Sequence, residues 1–311
     1  MPQLHPQIRE VLEAMRKAEL RPIEDMTPAA ARAQMEATAQ SRKAEALPVA
    51  KVDERSIVGP GGDIHLRFYW PEAAPPRPAI LYYHGGGHVI GSLDTHDLVA
   101  RNLCAGAGAL VASVDYRMGP EHKFPAAVDD SFAALEWVCA NAGSLGADPF
   151  RVGVHGDSAG ANLAAVAALL ARDTRLELRL QSLVYPVTDY TLSGASYTAY
   201  ATGYGLLTRA SMVWFRDHYL RSPGDAEDWR ASPLRAATYA GAAPAIIVTA
   251  ECDMLHDDGE AYAAALREAG VAVEYREYRG MIHGFFGMVP AVDDAMNAQR
   301  QVWAAFRRAF A

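Results

Sequence analysis

The feature that most restricts how this chain can fold is a succession of short apolar runs separated by stretches of helical periodicity. Residues 79–83, 110–115, 151–155, 180–185, 245–249 and 271–278 read as strands, and 126–141, 159–172 and 257–269 as helices among them. Runs so short and so uniformly apolar suit strands buried on both faces. Strands that alternate with helices pair in parallel, because each crossover needs a long connection. The pattern predicts an α/β fold built on a mainly parallel sheet flanked by helices. Upstream, Ile64, Leu66, Phe68 and Trp70 alternate with His65, Arg67 and Tyr69 and predict one more strand, ahead of a proline-rich connection at 71–78.

Two regions stand outside this alternation. Residues 6–20 carry Ile8, Val11, Leu12 and Met15 on one helical face, and a second helix starts at Thr27-Pro28, a capping residue followed by proline at the first helical position. Residues 188–235 interrupt the pattern with Tyr190, Tyr197, Tyr200, Tyr204, Trp214, Phe215 and Tyr219 on a helical or irregular background. An insertion late in an α/β sheet is a candidate cover for a pocket. The expected organisation is therefore a cap segment at 1–50, a catalytic domain at 51–187 and 236–311, and a cap insertion at 188–235.

Composition removes several function classes. A net charge of −8 over 311 residues, with no basic run interleaved with aromatics, argues against a nucleic-acid groove. Cys104, Cys139 and Cys252 are few, odd in number and without CxxC spacing, so neither a disulfide framework nor a zinc site is expected. No run approaches the roughly 18 apolar residues of a membrane span. The first residues lead into a charged segment and not a signal-peptide core, so the expected location is the cytoplasm, without membrane insertion.

Chemistry concentrates in a few places. Gly156-Asp157-Ser158-Ala159-Gly160 directly follows one expected strand and directly precedes a helix, the context a nucleophile elbow requires. The tight turn lifts the Ser158 hydroxyl clear of the sheet and sets it beside a helix N-terminus, where the N–H of Ala159 can meet a developing negative charge. His84-Gly85-Gly86-Gly87 ends an earlier strand. Consecutive glycines cost conformational entropy and make sense where bare N–H groups must approach a ligand, here the other half of an oxyanion hole. A phosphate loop is the competing idea, but GxGxxG and GK[ST] are both missing. His84 reads as a loop-organising hydrogen-bonder.

A serine nucleophile needs a base, and the base an orienting acceptor. Of ten histidines, His218, His256 and His283 follow Ser158 in the chain. His283, in a loop after the last strand, fits best as base. Asp253, just past the strand at 245–249, fits as its acceptor, since catalytic groups gather at the C-terminal edge of a parallel sheet. Asp257, Asp258 and Glu251 are its rivals; the first two look like first-turn helix residues.

These pieces together resemble the bacterial hormone-sensitive-lipase-like (family IV) esterases of the α/β-hydrolase superfamily. The resemblance runs from about residue 50 to 287. It takes in His84-Gly85-Gly86-Gly87, Asp115-Tyr116-Arg117, Pro120-Glu121-His122, Phe124-Pro125-Ala126, the serine elbow, Tyr185-Pro186, Gly203-Tyr204, Asp253-Met254-Leu255-His256-Asp257 and His283-Gly284-Phe285. It implies an eight-stranded, mostly parallel sheet with a helical cap, a triad at Ser158, Asp253 and His283, and an oxyanion hole from Gly85, Gly86 and Ala159. The implied activity is hydrolysis of short- to medium-chain acyl esters without a cofactor or metal. Several members are homodimers through the sheet edge, which would make 271–278 the pairing strand; a monomer on gel filtration would remove that idea. His88 departs from the aromatic usual after the glycines, Ala161 from the glycine usual after the elbow, and Met254-Leu255-His256 from Pro-Leu-Arg. His88, Tyr204, Leu206, Leu207 and Trp214 are expected to line the pocket, and Asp115, Tyr116, Arg117 and Glu121 to form a structural cluster. An amidase or acyltransferase would use the same triad. An epoxide hydrolase would usually carry Asp at the nucleophile position, and a receptor that has lost its catalytic histidine would lack His283.

Overall fold

The computed structural model describes residues 2–41, 44–174, 176–202, 204 and 206–311. Eight strands form one sheet: β1 (Lys51–Gly59), β2 (Gly62–Trp70), β3 (Arg77–Tyr83), β4 (Leu110–Asp115), β5 (Ala147–Asp157), β6 (Leu178–Val184), β7 (Ala245–Ala250) and β8 (Val273–Tyr278). Their order across the sheet is β1-β2-β4-β3-β5-β6-β7-β8. β1 and β2 form an antiparallel hairpin, β2 runs antiparallel to β4, and every other pairing is parallel.

The burial of each strand follows its place in the sheet. In β2, Ile64, Leu66 and Phe68 are buried while Asp63 and His65 are exposed, the alternation of a strand with one wet face. β7, between two parallel neighbours, is buried at every position. β1 lies at the edge, is mostly polar and buries only Ile57, so an apolar-run criterion passes over it.

Helices cover both faces. α4 (Ala126–Ala140), α6 (Ala159–Arg172) and α9 (His256–Glu268) share one core with the sheet. α3 (Asp97–Ala107) and α10 (Asp293–Phe310) share the other, together with Ile8 of α1 (Pro6–Lys17). α3 and α10 were not among the expected helices, although Ala295, Ala298, Val302 and Phe306 repeat at helical spacing and are buried. The central helix α6 is buried along almost its whole length. Its alanines allow that, since small side chains let a helix lie close to both sheet and neighbours.

The remaining helices are α2 (Pro28–Ser41), α5 (Ala142–Leu145), α7 (Ser196–Ala199) and α8 (Arg209–Tyr219). α8 opens with a capping box between Thr208 and Ser211. The N-terminal segment and residues 188–235 meet: Thr208 Oγ1 donates to Glu24 at 2.8 Å, and Trp214 Nε1 donates to the Met26 carbonyl at 3.2 Å. Gly203, part of one sequence motif, lies outside the described residues.

Candidate active site

β5 ends at Asp157, and the chain turns directly into α6. Ser158 sits on that turn at φ 55°, ψ −120°, a strained conformation for a residue with a side chain. Two glycines make the turn possible. A Cβ on Gly160 would lie 1.9 Å from the Tyr83 carbonyl oxygen, and one on Gly156 would lie 2.2 Å from the Gly160 carbonyl. The Ser158 N–H donates to the Val184 carbonyl at 2.8 Å, which pins the turn to the end of β6.

Three residues from three segments meet above this turn. His283 Nε2 lies 3.0 Å from Ser158 Oγ, and His283 Nδ1 lies 2.8 Å from Asp253 Oδ2. Asp253 Oδ1 accepts the Leu255 N–H at 3.0 Å, so both carboxylate oxygens are engaged. The Asp253 side chain is fully enclosed while that of His283 is 14% exposed, so the imidazole has a buried partner on one side and access on the other. Two contacts brace the His283 loop. Glu251 accepts the Gly280 N–H at 2.7 Å, and the Tyr185 ring lies 4.6 Å from the imidazole.

The rival residues lie elsewhere. His218 pairs with the Trp214 carbonyl at 2.8 Å, and His256 bridges Asp257 and Glu277 at 3.1 and 2.9 Å. Asp257 and Asp258 occupy the first turn of α9, where they hold residues 188–196. Asp257 accepts the Ser196 N–H, and Asp258 accepts those of Thr188 and Asp189. Burial pushes the Asp258 carboxyl up to about 7.

The glycine loop follows β3. Among the described residues, no acceptor takes the N–H of Gly85, Gly86 or Ala159. Gly86, at φ 122°, packs so closely on Ile90 that a Cβ would lie 2.0 Å from its carbonyl oxygen. His84 is buried and pairs through Nδ1 with the Gly85 carbonyl at 2.8 Å; burial brings its pKa down to about 4, so it is neutral. The expected cluster of Asp115, Tyr116, Arg117 and Glu121 is not one network. Tyr116 donates to the His84 carbonyl, Arg117 forks onto buried Asp130, and Glu121 pairs with Arg32 of α2. Arg32 also donates to the carbonyls of Val89 and Gly119, which ties α2 to the far end of the glycine loop.

Beneath the elbow lies a polar cluster that sequence reading left out. Tyr82 Oη donates to Asp157 Oδ1 at 2.9 Å, and His96 Nε2 lies 3.8 Å from Asp157 Oδ2. The same carboxylate packs on Gly85, where a Cβ would lie 2.5 Å from Oδ2. The only signal for this in the sequence was an Asp inside the elbow motif.

The expected pocket residues divide. Leu206 reaches the His283 loop, its Cδ2 lying 3.6 Å from where a Gly284 Cβ would be. Tyr204 lines a concavity of about 590 Å³ with Leu12, Met15 and Arg16 of α1. Leu207 is core, Trp214 is partly buried at its contact with Met26, and His88 is fully buried. Among the described residues, His256, Asp257 and Glu260 of α9 bring metal-type ligand atoms within 4.8 Å of one another.

Comparison with known proteins shows what the chain is similar to. The family described as alpha/beta hydrolase fold matches residues 80–287. The chain is 45% identical to the carboxylic ester hydrolase LipN of Mycobacterium tuberculosis, across 83% of this chain and 70% of that protein. It is 39% identical to the ethyl acetate hydrolase of Pseudomonas putida, across 84% and 85%. The structure superposes on a hyperthermophilic esterase from the archaeon Pyrobaculum calidifontis with a TM-score of 0.94 and 40% identity, covering 99% of each chain. With a mostly parallel sheet carrying a serine elbow, and with relatives of this identity and coverage, the chain belongs to the hormone-sensitive-lipase-like, family IV carboxylesterases of the α/β-hydrolase superfamily.

Proposed function

We propose that this carboxylesterase hydrolyses short- to medium-chain acyl esters through a Ser158–His283–Asp253 triad and an acyl-enzyme intermediate. The observation that carries the reading is the continuous hydrogen-bonded line from Ser158 Oγ through both nitrogens of His283 to Asp253, at 3.0 and 2.8 Å. In that line His283 Nε2 takes the serine proton as Oγ attacks the ester carbonyl. The N–H groups of Gly85, Gly86 and Ala159 receive the oxyanion, and His283 then protonates the departing alcohol. Water activated by the same imidazole releases the acid and restores the serine. Asp253 holds the proton on Nδ1, which keeps Nε2 a base. No step calls for a cofactor.

The ethyl acetate hydrolase among the relatives supports a small acyl group. The contacts of Thr208 with Glu24 and of Trp214 with Met26 support residues 1–50 and 188–235 acting together as the cap over a 51–187 and 236–311 catalytic domain. β8, at the sheet edge, remains the strand through which two copies would pair. Among the described residues no helix is long and apolar enough to cross a membrane, and a cytoplasmic site of action is part of the proposal.

The test is hydrolysis of p-nitrophenyl esters from acetate to palmitate by wild type and Ser158→Ala. Turnover strongest on short chains and reduced to background in the folded variant is the expected result. Retained turnover in Ser158→Ala would remove the serine assignment.

A further inference from the structure

His88 has a burial and a set of contacts that the triad chemistry does not use. It is 0% exposed, lies three residues beyond Gly85, and adopts φ 60°, a region that histidine enters more readily than bulkier residues. Its ring stacks on Tyr219 of α8 with centroids 3.9 Å apart and planes 12° from parallel. Phenylalanine would stack as well there, without the penalty of burying two ring nitrogens. A histidine at such a place is explained by what its Nδ1 holds.

Nδ1 lies 2.8 Å from Tyr190 Oη. The phenol and the ring nitrogen share one hydrogen bond, which phenylalanine at 88 could not make. The His88 carbonyl accepts the Gly119 N–H at 2.8 Å. One residue thus joins the end of the glycine loop to Gly119 and to Tyr190 and Tyr219 of residues 188–235. Burial holds the imidazole down at about 3, so it is neutral.

We propose that His88 is a positioning residue for the oxyanion hole: it anchors the loop carrying the Gly85 and Gly86 N–H groups to Tyr190 and Tyr219, and so sets where that pair sits against the Ala159 N–H. The proposal rests on the esterase reading above. Three donors on two separate segments must converge on one oxygen, and their spacing is set by whatever ties the segments together. Displacement of about 1 Å in such a site costs up to about 100-fold in rate. A single lost oxyanion donor costs on the order of 10²–10³.

The experiment compares wild type, His88→Phe, Tyr190→Phe and the double variant. It reads kcat and KM on p-nitrophenyl acetate, inhibition by phenylboronic acid, and melting temperature. Phenylboronic acid forms a tetrahedral adduct on the serine and so reports on the hole directly. His88→Phe is expected to lower kcat roughly 10- to 100-fold with KM within about 3-fold, and to weaken phenylboronic acid by a similar factor. Tyr190→Phe is expected to move both in the same direction by less, with the double variant no worse than His88→Phe. A folded His88→Phe with wild-type kcat and inhibitor affinity overturns the proposal. So does a rise in KM alone, which would make His88 a pocket wall. If His88→Phe does not fold, an unchanged kcat in Tyr190→Phe overturns it. Turnover in Ser158→Ala would instead strike the underlying esterase reading, so the two failures are told apart.

Discussion

Replacing Asp253 with Asn tests whether the triad works through the tautomer of His283. The carboxylate accepts twice, from His283 Nδ1 at 2.8 Å and from the Leu255 N–H at 3.0 Å, and its side chain is sealed from solvent. An amide has one acceptor to offer these two donors. If its oxygen stays on Leu255, the NH₂ faces His283 and forces Nδ1 to accept. The ring proton then sits on Nε2, which donates to Ser158 Oγ and cannot take its proton. If the oxygen turns to His283, the NH₂ meets the Leu255 N–H, and a buried donor facing a donor costs about 1–3 kcal/mol. The first arrangement is the cheaper one. Loss of the correct tautomer lowers turnover by about 10⁴ in serine hydrolases that use such a triad, equivalent to about 5.4 kcal/mol in the barrier. The prediction for Asp253→Asn is therefore a fall in kcat on p-nitrophenyl acetate of about 10⁴ with little change in KM or in the folded circular dichroism spectrum. A folded variant within about tenfold of wild type would refute the reasoning.

Two further perturbations probe the frame around the site. Asp258 is buried with its pKa raised to about 7, so between about 4 and 7 the unfolded chain loses this proton while the folded chain keeps it. Wild-type stability should fall through that window relative to Asp258→Asn and run parallel to it above, and melting curves from pH 4 to 8 that keep a constant gap would count against the assignment. At Gly160 an added Cβ would meet two backbone oxygens, Tyr83 O at 1.9 Å and His84 O at 2.6 Å, neither free to swing away. Gly160→Ala should destabilise by about 3 kcal/mol or more and abolish turnover, and a stable, active variant would show that the elbow has slack.

Much of the architecture was legible because periodicity is a local property. Buried runs such as 79–83 and 245–249 could be strands only in a covered sheet, and the glycines flanking Ser158 announced a turn that tolerates no Cβ. Ser158, Asp253 and His283 could be named because each follows a strand, and all parallel strands end at one edge. β1 escaped because an edge strand that buries only Ile57 carries no apolar run. α3 and α10 carried a readable period, and only their position on the second face of the sheet explains why it is there. The partners of polar residues were settled by tertiary structure alone. Asp130 is 13 residues from Arg117, Glu121 is 89 from Arg32 and Tyr190 is 102 from His88, and no sequence spacing encodes such pairs. A buried polar group takes whichever partner the packed chain brings within 3 Å, because leaving it unpaired costs about 1–3 kcal/mol. The sequence by itself determined the sheet, the elbow and the identity of the chemical groups. Tertiary packing decided how those groups are held, since hydrogen bonds act over ångströms in space and not along the chain.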